Sequence, residues 1–227
     1  YIGEPSPAAW PSRSSYFGIV DLCGFPKDRF YLYQSQWSDK PMVHILPHWS
    51  WSINKGAEIP VLCYSNCDSV ELFVNGKSLE EKDWSSTEDL HLDWKVPWQP
   101  GKLKAVGKKN GTVVCTDEVH TAMTPARIIL TADRTEIRTT GQDLSFVTAR
   151  IVDESGHLCT RLATDNTINF RISGNGSILG VGNGDPTNHE YFKAEKHKTF
   201  HGLCLIVVKS TKQSGEIHLT ATAKGLR

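Results

Sequence analysis

A short aromatic cluster, Pro47-His48-Trp49-Ser50-Trp51, is the strongest candidate for binding chemistry in this sequence. Two tryptophans at i and i+2 share one face of an extended segment, and flat indole rings stack well on the apolar C–H faces of sugars. Trp98, at the end of Trp94-Lys95-Val96-Pro97-Trp98, is a third candidate of the same kind. Trp49, Trp51 and Trp98 therefore point to a sugar-binding surface. The alternative is that these indoles are buried against the preceding segment or in the core of the fold, and the pattern leaves both interpretations open.

Patterns that hold catalytic groups at a fixed spacing are absent from the sequence. It contains no phosphate-binding loop, no H-E-x-x-H, no G-x-S-x-G and no G-x-G-x-x-G motif. The nine histidines are scattered, and His44 and His48 flank Leu46-Pro47 rather than sharing a helix face. Gly182-Asn183-Gly184-Asp185 lacks the series of oxygen ligands of a calcium loop, so we interpret it as a turn. The residue patterns thus assign no catalytic residue, no metal ligand and no cofactor site.

The charge balance argues against two classes of partner. Lys+Arg and Asp+Glu both number 25, so the formal net charge is zero, and no basic run is present. Nucleic acids and anionic membrane surfaces attract clustered positive charge, so we expect neither as a partner. No apolar run approaches the roughly 20 residues of a membrane-spanning helix, and no signal-peptide pattern is visible.

The cysteines fit a structural role. The sequence contains no C-x-x-C pair, and most of the cysteines lie beside apolar strand residues, where a free thiol behaves as a small buried hydrophobe. A chain of this length needs no disulfide framework, which remains the alternative, and the spacing gives no zinc site. We expect free thiols at the six positions Cys23, Cys63, Cys67, Cys115, Cys159 and Cys204.

The clearest structural signal is a β-hairpin over residues 70–82. Apolar residues at every second position from 70 to 74 follow the period of a strand with two unlike faces. Asn75-Gly76 then supplies two residues that tolerate positive φ, as a type I′ turn requires. The returning strand is mostly polar, so we expect it near a sheet edge. Asn110-Gly111 predicts a second hairpin of the same kind.

Two blocks of short strands predict an all-β fold with two consecutive β-sandwiches. Within residues 42–123, about seven short strands at turn spacing are typical of an immunoglobulin-like or fibronectin-type sandwich. Thr124-Pro125-Ala126 marks a break, and alternating strands without helices return over residues 124–227. All seven tryptophans precede residue 99, which supports two separately built domains.

Residues 1–41 differ from both blocks. Several prolines keep the start of this segment extended or looped. After Pro26, the spacing of Phe30, Tyr33 and Trp37 predicts a helix over residues 27–37. The segment has no core of its own, so we expect the helix to pack on the first sandwich.

Three groups of runs resemble parts of one family, the family 2 glycoside hydrolases of the β-galactosidase type. The first group resembles the end of the catalytic barrel: residues 10–21, 24–28 and 31–37. The second resembles the sandwich domain that follows that barrel: residues 47–51, 70–79, 94–98 and 100–101. The third resembles the further immunoglobulin-like domain of longer members: residues 133–134, 143–146 and 182–185.

The resemblance implies a parent enzyme that cleaves β-galactosides with retention. Such enzymes use one Glu as acid/base and another as nucleophile, about 5–5.5 Å apart. Both lie on barrel strands before the start of this chain, so no catalytic residue is carried over and the isolated chain is expected to be inactive. Residues 1–15 resemble a loop on the C-terminal face of the barrel, where active sites lie. Tyr1, Glu4 and Trp10 are therefore expected near the substrate in the intact enzyme.

The sequence is thus interpreted as a barrel remnant over residues 1–41, an immunoglobulin-like sandwich over 42–123, and a second, bacterial (invasin-like) immunoglobulin-like sandwich over 124–227. The expected partner is the catalytic barrel of the same polypeptide, with a glycan and a homo-oligomer as further candidates and no cofactor. Members of the family are often exported, which implies a periplasmic or extracellular location. One rival interpretation is a non-catalytic carbohydrate-binding module that uses exposed tryptophans. Another is an adhesive array of immunoglobulin-like domains, which leaves the barrel-like block unexplained.

Overall fold

A computed structural model describes residues 9–161 and 166–226 of the chain. By internal contacts these residues form two units. The first unit is Pro26–Thr121, and the second combines the described residues of Tyr1–Phe25 and Ala122–Arg227. The predicted all-β fold is confirmed. The division into residues 1–41, 42–123 and 124–227 stays a prediction beside this grouping by contacts.

The first unit is a β-sandwich with one helix on it. The elements are α1 (Asp28–Trp37), β1 (Val43–Leu46), β2 (Glu58–Ser65), β3 (Ser69–Val74), β4 (Lys77–Asp83), a 3₁₀ turn (Trp84–Ser86), β5 (Leu92–Pro97), β6 (Lys102–Lys109) and β7 (Thr112–His120). The strands form two antiparallel sheets, in the orders β1-β2-β5 and β4-β3-β6-β7.

Both predicted hairpins are confirmed, with the turn residues in the left-handed region. Asn75 has φ 49° and Gly76 has φ 83°, and they join β3 to β4 with Val74 opposite Lys77. Asn110-Gly111 joins β6 to β7 with φ values of 50° and 74°. Because strand β4 lies at the end of its sheet, the polar returning strand occupies an edge as expected.

Strict alternation along β5 places its apolar side chains in the core. Leu92, Trp94 and Val96 are buried, whereas the residues between them are exposed. Buried side chains of both sheets meet them to form a single cluster. Burial of this apolar surface is the main favourable contribution to the stability of the unit.

Helix α1 lies against β1 and β2, as predicted for a segment without its own core. Its Asp28 carboxylate is 3.0 Å from Nε2 of His44 on β1, and the Tyr31 ring stacks on the His44 ring at a centroid distance of 3.8 Å. Asp117 on β7 approaches the other ring nitrogen of His44 at 3.6 Å. These contacts hold the helix on the sheet.

The second unit is also a sandwich of two antiparallel sheets within its described residues. The strands are β8 (Arg127–Ala132), β9 (Leu144–Val152), β10 (Thr167–Gly174), β11 (Gly176–Gly182), β12 (Lys196–Lys198), β13 (Leu203–Ser210) and β14 (Ile217–Thr222). The sheet orders are β11-β13-β9-β8 and β12-β10-β14.

The continuous apolar run of residues 203–208 is typical of a strand that is buried on both faces, but the structure buries only one face fully. Along β13, Cys204, Ile206 and Val208 are buried, but the alternate residues Leu203 and Leu205 are only half-buried. The strand lies between β11 and β9, so neighbours protect its edges while one face keeps partial contact with solvent.

A buried carboxylate anchors the chain where it enters the second sandwich. The Asp153 side chain is only 1% exposed and accepts hydrogen bonds from the backbone N–H groups of Met123 and His157, both at 2.9 Å. Desolvation by itself raises the pKa of Asp153, but the two N–H donors and the His157 ring outweigh it, so the pKa is lowered. The ionised form is therefore the one that the fold stabilises.

We expect Asp153→Asn to destabilise the second sandwich by about 1–3 kcal/mol at pH 7, because the amide nitrogen faces a buried N–H group that then lacks an acceptor. Since the folded pKa is depressed, the contribution of Asp153 is complete above its unfolded pKa of about 3.9 and is lost as the pH falls through the folded value. Urea unfolding at several pH values between 2 and 7 measures the difference between wild type and variant, which should shrink below about pH 4. Glu136→Gln, at an exposed residue of the same unit, is the control. A difference that stays constant down to pH 2 contradicts this role.

Candidate functional site

Among the described residues of the second unit, strongly exposed aromatic side chains form a surface on the N-terminal segment, residues 9–25, and on the loop of residues 183–192. Trp10 is 81% exposed, Phe17 74% and Tyr191 86%. Single exposed aromatic residues are ordinary, but several on joined segments mark an interaction surface. We call this surface the aromatic face, and it comprises Trp10, Tyr16, Phe17, Tyr191 and Phe192.

Ring contacts and hydrogen bonds join the two segments of the aromatic face. The Trp10 ring packs on the His189 ring at 4.5 Å between centroids, and His189 Nε2 donates a hydrogen bond of 2.6 Å to the Pro11 carbonyl. The Arg13 guanidinium lies 4.9 Å from the centre of the Phe192 ring. The Arg13 backbone N–H donates to the carbonyl of Pro186 at 2.7 Å. These contacts fix the N-terminal segment on the loop.

A tight turn at Asp21 continues this attachment. Oδ1 of Asp21 accepts the backbone N–H groups of Cys23 at 2.8 Å and Phe25 at 3.0 Å. Gly184 lies against the same carboxylate, and a Cβ atom on Gly184 would overlap Asp21 Oδ2. Gly182 leaves similar room for the Cys23 sulfur, which would be 3.0 Å from a Cβ at that position. Burial, followed by the nearby Asp21 carboxylate, raises the pKa of Cys23 to about 12.

The three tryptophans considered for sugar stacking lie in or against the core of the first sandwich. Trp49 has 0% exposure, and its Nε1 donates to the Gln99 carbonyl at 2.9 Å. Trp98 is also buried, and its Nε1 donates to the Trp49 carbonyl at 3.3 Å. Trp51 is half-buried, packs against the same core and stacks on the His48 ring at 4.5 Å. In this arrangement Trp49 and Trp98 offer no open ring face to a sugar.

Of the three residues expected near the substrate, the structure describes only one. Tyr1 and Glu4 lie outside the described residues. Trp10 is exposed on the aromatic face, where its ring packs on His189. Trp10 is thus open to solvent on the N-terminal segment. The role of all three residues near a substrate stays a prediction.

Charged side chains in the first unit form structural networks. Lys108 Nζ bridges Glu71 at 3.0 Å and Glu81 at 2.6 Å. The Ser78 hydroxyl and then Lys108 lower the pKa of Glu71, and Lys108 and then Ser69 lower that of Glu81. Both carboxylates are therefore held as anions, which does not suit a general acid at neutral pH.

The described ranges hold neither a metal-binding cluster nor a membrane-spanning helix. Among residues 9–161 and 166–226, no three or more His, Cys, Asp and Glu side chains are grouped so as to hold a metal ion. The same residues include no helix long and apolar enough to cross a membrane.

Comparison with known proteins extends over the whole chain. A family model described as glycoside hydrolase family 2 C-terminal domain 5 matches residues 128–227, and one for a domain of unknown function, DUF4982, matches residues 56–115. Beta-galactosidase BoGH2A of Bacteroides ovatus is 51% identical across 100% of this chain and 26% of that protein. A putative β-glucuronidase of Formosa agariphila is 38% identical over 74% of this chain and 16% of that protein. The chain thus spans about a quarter or less of these relatives' length.

Solved structures agree with these sequence matches. A crystal structure of a β-glycosidase from Bacteroides vulgatus has a TM-score of 0.91 and 38% identity, over 96% of this chain and 28% of that one. A family 2 member from Bacteroides cellulosilyticus has a TM-score of 0.84 and 37% identity, over 92% of this chain and 31% of that one. The fold and these similarities define an accessory β-sandwich region of a glycoside hydrolase. The chain belongs to glycoside hydrolase family 2 and is a C-terminal region of the β-galactosidase and β-glucuronidase type, which confirms the resemblance seen in its sequence.

Sequence reasoning did not find the partners of the N-terminal segment. His189 and Phe192, which contact Trp10 and Arg13, belong to no motif. One signal was present, because the glycines of Gly182-Asn183-Gly184-Asp185 mark a close approach of another part of the chain. The pattern alone does not say which part approaches.

Proposed function

We propose that this chain is the non-catalytic C-terminal part of a β-galactosidase and braces the catalytic barrel of the same polypeptide. The single observation that carries the proposal is the aromatic face, on a segment that resembles the end of a barrel. Large apolar side chains that lie open to water in a separate chain are expected to be covered in the assembly in which they function. The lengths of the relatives support a covering domain in the same polypeptide, since the chain accounts for 26% of the β-galactosidase from Bacteroides ovatus.

The proposed substrate is a terminal β-galactoside. The relative that is 51% identical over the whole chain is named a β-galactosidase, whereas the relatives named β-glucuronidase in Formosa agariphila are 38% identical or less. The chemistry in this proposal belongs to two barrel carboxylates that act as acid/base and nucleophile. The sandwiches contribute by holding the barrel and the rim of its substrate cleft.

We expect the 227-residue chain alone to give no turnover of a chromogenic β-galactoside or β-glucuronide, and the longer natural polypeptide to hydrolyse the galactoside. In the longer enzyme, Tyr191→Ser should lower stability by about 1–3 kcal/mol, because it removes apolar surface buried against the barrel. In the separate chain the same change should stay within about 0.5 kcal/mol, because Tyr191 is exposed there. Thermal and urea melts of both forms measure this difference.

Val113→Ser is the matched control, since Val113 is an exposed apolar residue outside the aromatic face. It should leave both forms unchanged. Turnover by the chain alone contradicts the non-catalytic role. Equal effects of Tyr191→Ser in the two forms contradict the docking of the barrel on the aromatic face.

A second candidate function is glycan binding by the chain itself, favoured by the exposure of Trp10 and Tyr191 rather than by Trp49 or Trp98. Calorimetric titration with galactosides and plant or host polysaccharides tests it. Binding that Trp10→Ala abolishes would make the aromatic face a recognition surface.

The proposal that the intact enzyme is a homo-oligomer is tested by sedimentation of the longer polypeptide.

We further propose a periplasmic or extracellular location, from the frequent export of family members. Fractionation of the source bacterium, followed by detection of the protein with an antibody, measures it. A signal found only with cytoplasmic markers contradicts the proposed location.

A further inference from the structure

Two thiols that are distant in the sequence meet in the first sandwich. The sulfur atoms of Cys67 and Cys115 are 3.4 Å apart, across a sequence separation of 48 residues. Cys67 lies in the turn between β2 and β3, and Cys115 lies on β7. Both are free thiols in this structure.

A glycine makes the meeting of these sulfurs sterically feasible. Strand β6 lies between β3 and β7 in the sheet, and its Gly107 is directly opposite Cys115. A Cβ atom on Gly107 would be 2.7 Å from the Cys67 sulfur and 2.8 Å from the Cys115 sulfur. Any other residue at this position would therefore enter the space that the two sulfurs share.

An irregularity in the ladder adds to this geometry. Between β6 and β7 the register changes from Gly107 opposite Cys115 to Lys108 opposite Val113. One extra residue of β7 is thus accommodated next to Cys115. Such a bulge redirects the neighbouring side chains relative to a regular strand.

The surroundings of the two thiols slow their reaction with an oxidant. Cys67 is 3% exposed, and its backbone N–H donates to the Ser65 hydroxyl at 3.0 Å. Cys115 is half-buried and is the more accessible sulfur of the two. Burial, followed by the hydrogen bond with Cys67, raises the pKa of Cys115 to about 12. The attacking thiolate is therefore scarce near neutral pH, and its reaction with an oxidant should be slow and should speed up with pH.

We propose that Cys67 and Cys115 are a redox-dependent modification site, which closes to a disulfide on contact with a disulfide-class oxidant such as oxidised glutathione. The Cys115 thiolate attacks one glutathione sulfur, forms a mixed disulfide and releases the first glutathione as a thiol. Cys67 then gives up its proton and attacks the Cys115 sulfur, which releases the second glutathione. Two S–H bonds are lost and one S–S bond forms, while two electrons and two protons reduce the oxidant to two thiols.

The closing movement is small on the scale of side-chain rotation. A disulfide has an S–S length of about 2.04 Å, so the sulfurs must approach by roughly 1.4 Å. The bond would link the turn before β3 to strand β7. It would close a loop between two cysteines that are 48 positions apart in the sequence. Such a loop restricts the unfolded chain and thereby stabilises the folded one. The disulfide would form within the first sandwich alone, independently of the proposed function.

To test this proposal, the chain is incubated in buffers of oxidised and reduced glutathione at pH 7 and at pH 8.5. Free thiols are then counted under denaturing conditions with a maleimide, and the cross-linked peptides are identified by mass spectrometry. The number of free thiols in the wild-type chain should fall from six to four, and its mass should fall by two hydrogen atoms. A new disulfide bond should join the peptides that contain Cys67 and Cys115. The reaction should be faster at pH 8.5.

Three variants show whether the disulfide requires both Cys67 and Cys115. Cys67→Ser and Cys115→Ser should form no internal disulfide, whereas Cys23→Ser, outside the pair, should still form it. The melting temperature of the first sandwich should rise by roughly 10 °C or more on oxidation and return after dithiothreitol treatment. The proposal is overturned if six free thiols remain, if the bond joins other cysteines, or if the reaction stops at a glutathione adduct of Cys115.

Discussion

We expect Trp49→Ala to lower the free energy of unfolding of the first sandwich by about 3–5 kcal/mol, because it removes a large side chain from a close-packed core. Trp49 has no exposed surface, and its Nε1 donates to the carbonyl of Gln99. Alanine leaves a cavity and deprives the partly buried Gln99 carbonyl of its donor, which adds to the cost. The loss follows from packing and requires no ligand.

Urea unfolding followed by far-ultraviolet circular dichroism measures this loss, because fluorescence would change with the tryptophan itself. The transition of the first sandwich is analysed separately, since a chain of two units need not unfold in one step. Trp37→Ala is the matched control, at a tryptophan of the same unit that is 79% exposed and packs on Tyr33. Its effect should be about 0.5 kcal/mol or less. A Trp49→Ala variant that keeps its stability but loses glycan binding would support sugar stacking and contradict the core role.

Gly184→Ala should release the N-terminal segment from the second sandwich and cost about 2–3 kcal/mol, of which about 1–2 kcal/mol is the strain of a left-handed residue with a side chain. Gly184 has φ 78°, and a Cβ atom there would overlap the Asp21 carboxylate. That carboxylate cannot turn away freely, because it accepts the N–H groups of Cys23 and Phe25. Moving it breaks the turn that attaches the segment.

Hydrogen exchange resolved to single amides distinguishes this clash from backbone strain. The amides of Cys23 and Phe25 should lose protection in Gly184→Ala. Gly225→Ala is the control, because Gly225 has a similar φ of 76° in the same unit but nothing within 4 Å of an added Cβ. It should show the strain alone, with both amides still protected. Equal losses of stability in the two variants, with unchanged protection, would contradict the role of Gly184 in docking.

The sequence by itself determined the strands of the first sandwich, their hairpins and the helix. Asn75-Gly76 and Asn110-Gly111 adopt positive φ because the preference belongs to two adjacent residues and needs no distant partner. The alternation along β5 likewise matches the observed burial, since successive side chains of a strand point to opposite faces. Helix α1 begins within one residue of its predicted start. The family, too, was recognisable from short runs of residues.

Only the tertiary structure decided which aromatic residues are covered. The spacing of Trp49 and Trp51 puts them on one face of an extended segment, but no local period says whether a second sheet covers that face. In the fold Trp49 is fully buried and Trp51 half-buried, while Trp10 remains open. The burial of a residue depends on which side chains pack against it, and these side chains belong to segments that are distant in the sequence.

The same physical reason separates the remaining findings from the sequence patterns. His189 binds the carbonyl of Pro11 across 178 positions, and Cys67 meets Cys115 across 48. Contacts of this kind follow from the order of strands in a sheet and from where a glycine leaves room. Hydrophobic periods and turn residues act over a few positions, so they specify the elements, whereas packing between distant elements assembles the aromatic face and the thiol pair.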